Sequence, residues 1–450
     1  MSISREFGAF ISSLKFEDLP EKVRSLAKYC FLDWLASAYA GSQEQPVRMM
    51  VEVVKGMPGK PECTLIPDGS KNICLLGALV NGASSHVVEM DDLHRPSIFH
   101  PAAPIIPAAV AVAEREQRTG RDLIAAIVVG YEVGIRVAQM VGKSHYHFWH
   151  TTATCGTFGA AAAASKLLLL NPQQIVWALG SAGTQASGLW EFLSEGAMSK
   201  QLHPGKAALN GILAALLAQR GFTGAERIFE GEKGFFKATS SDYDFRGAVD
   251  DLGREYQMEG NSFKFHASCG HTHSALDASL ILAREGGFTP EEVQKVKVKV
   301  YSAALDLLRN VQLTDPYIAK FHLPFCVATA LKFRKVGLEA FTEKRLNDGE
   351  LRELMARIEL TPDDTLDGEY PQKWGAIVEV STKDGRILSK KVEYPKGDPQ
   401  NPFSQEEVSE KFLSLTRGIL PMEKSSSMLS RILRLEEVER VDHLLQPAVS

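Results

Sequence analysis

The sequence lacks the signatures of most cofactor-dependent and metal-dependent enzymes. It contains no G-x-G-x-x-G segment after a predicted strand, no Walker A loop and no G-x-S-x-G elbow. Cysteine is scarce and scattered, at Cys30, Cys63, Cys74, Cys155, Cys269 and Cys326. No two of these residues form a C-x-x-C pair, which argues against a structural zinc site and against the disulfide framework of a small secreted domain. The pattern favours reduced thiols in the cytoplasm.

Long hydrophobic runs and an excess of positive charge are also absent. The formal net charge is -5 over 450 residues, so nucleic acid is not an expected partner. The longest apolar run, GAAAAASKLLLL, is interrupted by Ser165 and Lys166 and is too short to cross a bilayer. The N-terminal stretch carries charges every few residues, unlike a signal peptide. We therefore expect a soluble cytoplasmic protein without a membrane partner.

The hydrophobic period changes once along the chain. From about residue 20 to 225 the sequence is alanine-rich and helical in period, with a first helix predicted from near Pro20 to Gly41. After about Gly260, VQKVKVKV alternates like a half-exposed strand, and WGAIVEVSTKDGRILSKKVEYP predicts a hairpin around Asp384-Gly385. LNDGELRELMARIEL and the C-terminal segments are again helical in period. The prediction is a large all-α domain, on which the C-terminal helices pack, and a smaller α+β domain.

One polar cluster crowds acids and histidines into a short loop. It lies in SHVVEMDDLHRPSIFHPAAP and comprises Glu89, Asp91, Asp92, His94 and His100. Such a loop is compatible with a divalent metal, a solvated turn, or acid/base and substrate-anchoring work. The fixed spacing of a closed metal site is missing, so we expect no metal.

Two further clusters adjoin predicted helix starts. His150, followed by threonines, is predicted at the N-terminus of a Gly/Ala-rich helix, where the helix dipole favours a neutral imidazole or an anion. Lys200, His203 and Lys206 in KQLHPGKAALNG are predicted to precede another helix, where a desolvated lysine can hold a carboxylate. The alternatives are a threonine cap with surface histidines and solvated lysines.

A fourth cluster begins the second predicted domain. NSFKFHASCGHTHSALDA carries Lys264 and His273, together with a C-x-H-x-H pattern at Cys269, His271 and His273. Three ligands alternating on one short loop rarely converge on one ion, so this pattern does not predict a metal site.

Together the clusters offer proton-transfer groups and lysines without a cofactor. The chemistry that fits is proton transfer next to a carboxylate, with cations stabilising the negative charge that develops. A catalytically silent carboxylate-binding protein and a metal-dependent hydrolase are the alternatives from other classes.

With these clusters established, the chain resembles the MmgE/PrpD family over nearly its whole length. FEDLPEKVRSLAKYCFLDWLASAYAG is similar to the family's opening helix, and NGASSHVVEMDDLHRPSIFHPAAP to its N-G-x-x-x-H-x-x-D-x-D-D and H-P motif. FWHTTATCGTFGAAAAASKLL, KQLHPGKAALNGILAA and FKFHASCGHTHSALDA follow in the family's order. Glu89 stands where the family usually has the first aspartate of D-x-D-D, and Leu93, His94 and Phe325 also depart from the common pattern.

The resemblance implies both an architecture and an activity. It implies a mainly α fold, with a helical domain at 1–259 and 399–450, an α+β lid at 260–398, and a pocket between them. It implies a homodimer that needs no metal or organic cofactor and acts on a small carboxylic acid. The expected function is a lyase, either a dehydratase or a decarboxylase, of a di- or tricarboxylic acid. The alternative is an isomerase such as an iminodisuccinate epimerase.

The same resemblance assigns the site residues. His100 and His150 are expected to transfer protons, Lys200 and Lys264 to neutralise substrate carboxylates, and Asp91 and Asp92 to orient the other side chains. The remaining expected substrate-binding residues are Glu89, His94, Lys206 and His273.

Overall fold

The computed structural model describes residues 2–308 and 312–445. The predicted domains also include residues 1, 309–311 and 446–450, which lie outside the described residues. The chain divides into two compact units, the first combining residues up to Asn261 with those from Ser404 on, and the second spanning Ser262–Phe403. The helices are α1 (Ile3–Ser13), α2 (Glu21–Gly41), α3 (Gln45–Lys55), α4 (Cys74–His86), α5 (Ala102–Arg115), α6 (Gly120–Met140), α7 (Thr151–Leu167), α8 (Pro172–Gly183), α9 (Phe192–Glu195), α10 (Ser199–Gln219), α11 (Phe235–Thr239), α12 (His273–Glu285), α13 (Ser302–Leu308), α14 (Pro316–Ala319), α15 (Leu323–Phe333), α16 (Glu343–Leu346), α17 (Gly349–Met355), α18 (Asp364–Glu369), α19 (Gln405–Thr416) and α20 (Met422–Leu433). The strands are β1 (Cys63–Thr64), β2 (Lys71–Asn72), β3 (Leu93–His94), β4 (Asn261–Ser262), β5 (Val293–Val300), β6 (Ile358–Pro362), β7 (Ala376–Thr382) and β8 (Ile387–Val392).

The first unit is built on helices that approach one another through glycine. α10 packs on α4 and α7, and α6 packs on α7. A Cβ at Gly82 of α4 would lie 2.8 Å from the Cα of Gly205 in α10. A Cβ at Gly159 of α7 would lie 2.8 Å from the carbonyl oxygen of Gly130 in α6. Neither contact leaves room for a side chain, so the Gly/Ala-rich composition sets the close helix spacing that brings the polar loops together.

One described helix, α6, is long and apolar enough to cross a membrane by length and composition alone. The apolar window of α6 is 94% buried inside the protein. A helix that is apolar and buried on all sides is typical of the core of a folded domain, and this explains the composition of α6.

The second unit carries a four-stranded mixed sheet in the order β6-β5-β7-β8. β5 pairs in parallel with β6 and antiparallel with β7, while β7 and β8 form the predicted antiparallel hairpin. The buried valines of β5 break their alternation between Val293 and Val296, and a register shift against β7 falls between Val293 and Lys295. The bulge returns both valines to the core side of the strand. α12 packs on β7 and β8.

The structure confirms the first predicted helix, since α2 begins after Pro20 and ends at Gly41. It corrects two other predictions. Lys200, His203 and Lys206 do not precede a helix but lie inside α10, which begins at Ser199 and continues through Pro204. The residues RIEL do not extend a helix, because the chain leaves α17 at Met355 and pairs as β6 with β5. In the first case a proline near a helix start was tolerated, and in the second strand pairing overrode helical period.

Candidate active site

His86, Asp91 and His100 form a buried cluster at the end of α4 and in the loop that follows. Nδ1 of His86 lies 2.7 Å from Oδ2 of Asp91, and Nδ1 of His100 lies 3.4 Å from the same oxygen. Nδ1 of His100 lies 2.7 Å from the carbonyl oxygen of Asp92. A carbonyl can only accept, so Nδ1 of His100 carries hydrogen and Nε2 of the neutral ring carries a lone pair. His100 is therefore oriented as a proton acceptor.

The carboxylate of Asp91 is held in its charged form by its histidine neighbours. Burial alone would raise the pKa of Asp91, but the electrostatic attraction of His86 and His100 and the hydrogen bonds from both rings outweigh burial and hold this pKa well below its usual range. Oδ1 of Asp91 and Nε2 of His86 are both buried without a hydrogen-bond partner. Two unsatisfied polar atoms of this kind are costly in a purely structural cluster and are typical of a functional site.

Asp92 points away from Asp91 into a separate hydrogen-bond network. Its carboxylate accepts hydrogen bonds from the hydroxyl of Tyr131 at 2.7 Å, the side-chain amide of Asn261 at 2.6 Å and the backbone N–H of Ala102 at 3.0 Å. Burial, and then the nearby charge of Asp33, raise the pKa of Asp92 to about 7. The side chain of Asp92 holds the first residue of α5, and its backbone carbonyl accepts from His100. The expected orienting role of Asp92 stays a prediction.

His150 occupies the predicted position at the N-terminus of α7. It is the N-cap residue of α7, and its backbone N–H donates to the carbonyl of Gly188 at 2.9 Å. Its ring centroid lies 5.7 Å from that of His86 and 4.7 Å from that of Trp190, while the rings of His86 and His100 are 4.9 Å apart. Burial lowers the pKa of His150 well below that of an ordinary histidine, and the charges of His86 and His203 lower it further. The imidazole of His86 thus lies within ring-contact distance of both predicted proton-transfer histidines.

Lys200 reaches the same loop from the first turn of α10. Its ammonium forms a buried ion pair with the carboxylate of Glu89, three residues after His86. Lys206, two turns further along α10, donates instead to the hydroxyl of Ser187. Of the two lysines, the ion pair ties Lys200 to the acid and histidine loop.

The other predicted site residues have different environments. Nδ1 of His94 bonds to the hydroxyl of Ser97 at 2.7 Å, and burial lowers the pKa of His94 to about 3. Lys264 and His273 lie in the second unit and are buried there, with Nε2 of His273 lying 3.3 Å from the carbonyl oxygen of Ser268. Their predicted contribution to substrate binding stays a prediction.

His86, Asp91 and His100 are also the residues that could hold a metal ion, because one ligand atom of each lies within 4.8 Å of the others. The separation of 2.7 Å between Nδ1 of His86 and Oδ2 of Asp91 is that of a direct hydrogen bond. The set fits a proton shared between ligand atoms, and a cation there would replace that hydrogen bond.

Several residues of the site were not singled out from the sequence as site residues. His86 belongs to the N-G-x-x-x-H motif, but in the sequence the acids that follow it are the more conspicuous candidates. In the sequence His203 is one member of a basic run with Lys200 and Lys206, whereas in the structure its second-turn position in α10 faces it toward His150. Tyr131 and Asn261 lie 39 and 169 residues from Asp92, and no local pattern connects them to it.

The fold and site together define a mainly helical protein with a buried acid/base centre of several imidazoles, a charged aspartate and a lysine–glutamate pair. The MmgE/PrpD N-terminal domain model matches residues 5–248, and the MmgE/PrpD C-terminal domain model matches residues 266–436. The chain therefore belongs to the MmgE/PrpD family.

Curated relatives match over nearly their full length. The chain is 27% identical to the cis-aconitate decarboxylase-like protein oryM of Aspergillus oryzae, covering 99% of this chain and 96% of the relative. It is 25% identical to a cis-aconitate decarboxylase of Aspergillus terreus, with coverage of 99% and 95%. The chain is also 25% identical to the cis-aconitate decarboxylase of Homo sapiens, covering 97% of this chain and 92% of the relative.

Proposed function

We propose that the protein is a lyase that acts without a cofactor on a small di- or tricarboxylic acid. The observation that carries the proposal is the convergence of His100, His86 and His150 beside the Glu89–Lys200 ion pair in one buried site. The relatives named as cis-aconitate decarboxylases support lyase chemistry and make cis-aconitate the first substrate to test.

The proposed roles follow from the geometry of the first unit. In a decarboxylation, the bond to the departing carboxylate breaks, its electron pair stays on the substrate carbon, and a histidine protonates that carbon as carbon dioxide leaves. In a dehydration, a histidine removes the carbon-bound proton while a second histidine protonates the departing hydroxyl. His100, with Nδ1 held by the carbonyl of Asp92, presents its Nε2 lone pair as the acceptor, and His150 is the second proton carrier.

The positive charge of Lys200 stabilises the negative charge that develops on the substrate. The carboxylate of Glu89 already neutralises part of the positive charge of Lys200. Lys200 is therefore expected to act as a fixed hydrogen-bond donor to the substrate rather than as a free cation. Asp91 stabilises the protonated state of the histidine pair that flanks it.

The test is turnover of a substrate panel in deuterated water followed by NMR. The panel contains cis-aconitate, citrate, 2-methylcitrate and dicarboxylates including iminodisuccinate. A new product supports the lyase, with deuterium at the protonated carbon for a decarboxylation and without it for a dehydration, and the acid that gives the product identifies the substrate. Deuterium exchange without net product would replace the lyase by an isomerase, and thermal stabilisation without either would leave a carboxylate-binding protein.

We also propose that the protein acts as a homodimer. The supporting observation is a set of exposed apolar side chains on the segments next to His150 and Lys200, namely Phe148, Leu189, Leu193, Met198 and Leu202. Trp190 donates its backbone N–H to the carbonyl of Phe148, so these segments lie side by side. Light scattering of the wild type and of Leu193→Glu tests the proposal, with a monomeric wild type as the contradicting result.

A further inference from the structure

His150 is hydrogen-bonded to a second histidine. Its Nδ1 lies 3.0 Å from Nδ1 of His203, and both side chains are buried. Among the described residues, no other hydrogen bond to either ring is seen. Two neutral imidazoles can share such a contact only if one Nδ1 carries hydrogen and the other does not. The tautomer of His150 is therefore coupled to the tautomer of His203.

The surrounding structure holds His203 in this orientation. His203 lies three residues after Lys200 in α10, so both side chains project from the same face of the helix. The ring of Phe192 packs edge-on against His203 at 5.6 Å between centroids. The chain passes the pair at Gly188, where a Cβ would lie 2.4 Å from Ala153 and 3.3 Å from Nδ1 of His203. A side chain at Gly188 would therefore push between the two histidine-bearing elements.

We propose that His203 is a positioning residue that sets the tautomer of His150 and exchanges the shared Nδ1 proton with it during turnover. The proposal rests on the proposed function, since it gives a role to His203 only through the proton that His150 carries. His203 does not touch the reacting carbon in this proposal. Its effect is to decide whether Nε2 of His150 donates or accepts.

The proton accounting closes within the pair. When Nε2 of His150 takes a proton from substrate, the positive ring passes its Nδ1 proton to Nδ1 of His203. His150 then becomes neutral again, with hydrogen on Nε2, and His203 becomes the positively charged ring with hydrogen on both nitrogens. As Nε2 of His150 gives its proton to the substrate, Nδ1 of His203 returns its proton to Nδ1 of His150. This return restores the accepting form and leaves both rings neutral, so no proton has to come from bulk water for this switch.

The electrostatics of the site favour neutral rings before substrate arrives. Burial, and then the charge of His86, lower the pKa of His203 to about 4, and the pKa of His150 is also lowered. The titratable groups facing the pair are the lysines Lys200 and Lys206 and the imidazoles of His86 and His100. At neutral pH the two rings therefore share a single proton across the Nδ1–Nδ1 contact, which is the state that the exchange needs.

The experiment compares His203→Leu with His203→Asn in the full-length protein. Leucine fills a similar volume without a polar atom, whereas the amide of asparagine can donate or accept near the Nδ1 position. We expect His203→Leu to lower kcat about 100-fold with KM changed less than about 3-fold, and His203→Asn to recover about 10-fold of that loss. His145→Leu is the matched control, because His145 is a buried histidine of the same unit bonded to Thr154 and should leave kcat within about 2-fold.

A spectroscopic measurement separates this proposal from the proposed function. In histidine-labelled protein without substrate, the ring nitrogen signals of His150 report which nitrogen carries hydrogen. They should change in His203→Leu and stay unchanged in His145→Leu. Unchanged His150 signals in a folded His203→Leu protein, or a His203→Asn protein as slow as His203→Leu, would overturn the proposal. If the wild type turns over no carboxylic acid, the proposed function fails, while the nitrogen signals still decide whether His203 sets the tautomer.

Discussion

Glu89 and Lys200, separated by 111 positions in the chain, form an ion pair in which both side chains are less than 10% exposed. Glu89 adopts a left-handed backbone conformation with φ of 59°, which is unfavourable for a residue with a long side chain. The fold therefore accepts backbone strain to bring this carboxylate to Lys200.

The ion pair predicts a characteristic pattern in a double-mutant cycle. Glu89→Gln or Lys200→Met alone leaves one buried charge without its main counter-charge and should lower the free energy of unfolding by about 3–5 kcal/mol. The double variant removes both charges and should be more stable than either single variant. Denaturant unfolding of the three variants measures the coupling.

Activity distinguishes this pair from other ion pairs in the protein. Lys200→Met and the double variant should both lose at least about 100-fold in kcat/KM, even where stability is recovered. Glu436→Gln, which removes the partner of Lys28 in a more exposed pair, is the control and should leave kcat/KM unchanged. A double variant with wild-type activity would show that the pair is purely structural.

The two predicted proton carriers should be separable from the scaffold. His100→Ala and His150→Ala are each expected to reduce kcat by about 10²–10⁴-fold, the usual contribution of a positioned acid or base. Their melting temperatures should stay within a few degrees of the wild type, because the site already tolerates unpaired buried atoms on His86 and Asp91. Circular dichroism and NMR turnover measure the two effects. A variant that unfolds at assay temperature would assign the residue to the core.

The sequence predicted candidate site residues where polar side chains are concentrated in short loops. The loop carrying Asp91 and His100, and the helix start at His150, were recognisable because polar residues there adjoin apolar, Gly/Ala-rich helices. Partners that come from distant helices were not recognisable. Tyr131 lies in the middle of α6, a long apolar helix, and only the crossing of α6 and α7 through Gly130 and Gly159 places it in the core. A single sequence does not show which residues distant in the chain contact one another.

The fold was predictable to the same extent. Alternation predicted β5 and the β7–β8 hairpin, because β5 and β7 each bury one face and the exposed residues of β8 alternate with half-buried ones. β6 was missed because its residues, IELTP, continue a helical pattern and become a strand only by pairing with β5. The sequence does not predict the early start of α10, because Pro204 and Gly205 resemble a helix boundary. In the structure a Cβ at Gly205 would lie 2.0 Å from the carbonyl oxygen of Leu79 in α4, so the glycine serves helix packing inside α10.

Asp92 should make stability depend on pH between about 4 and 7. The unfolded carboxyl has a pKa near 4, whereas that of folded Asp92 is raised to about 7. The folded state therefore keeps a proton that the unfolded state releases, so the stabilisation is fully present below about pH 4 and is lost as the pH rises through about 7. Asp92→Asn should show a smaller fall in the free energy of unfolding between pH 5 and pH 8, measured by denaturant titration.

A second buried carboxyl provides the matched comparison. The pKa of Glu132 is also raised to about 7, with burial as the main cause and Arg136 opposing it. Glu132→Gln should remove its own share of the pH dependence, and the double variant should remove the sum of both shares if the sites are independent. An Asp92→Asn protein with the full wild-type pH dependence would contradict the raised pKa.

Removal of divalent metal should leave the activity unchanged, and added zinc should inhibit. Nδ1 of His86 and Oδ2 of Asp91 are 2.7 Å apart, so the cluster with His100 is already closed by a hydrogen bond that a cation would have to replace. Zinc bound to these side chains would take the lone pairs needed for proton transfer. Activity before and after chelation, zinc titration and elemental analysis are the measurements. Activity that is lost on chelation and restored by one divalent ion would instead make His86, Asp91 and His100 metal ligands, and the proton-sharing interpretation of the cluster would be wrong.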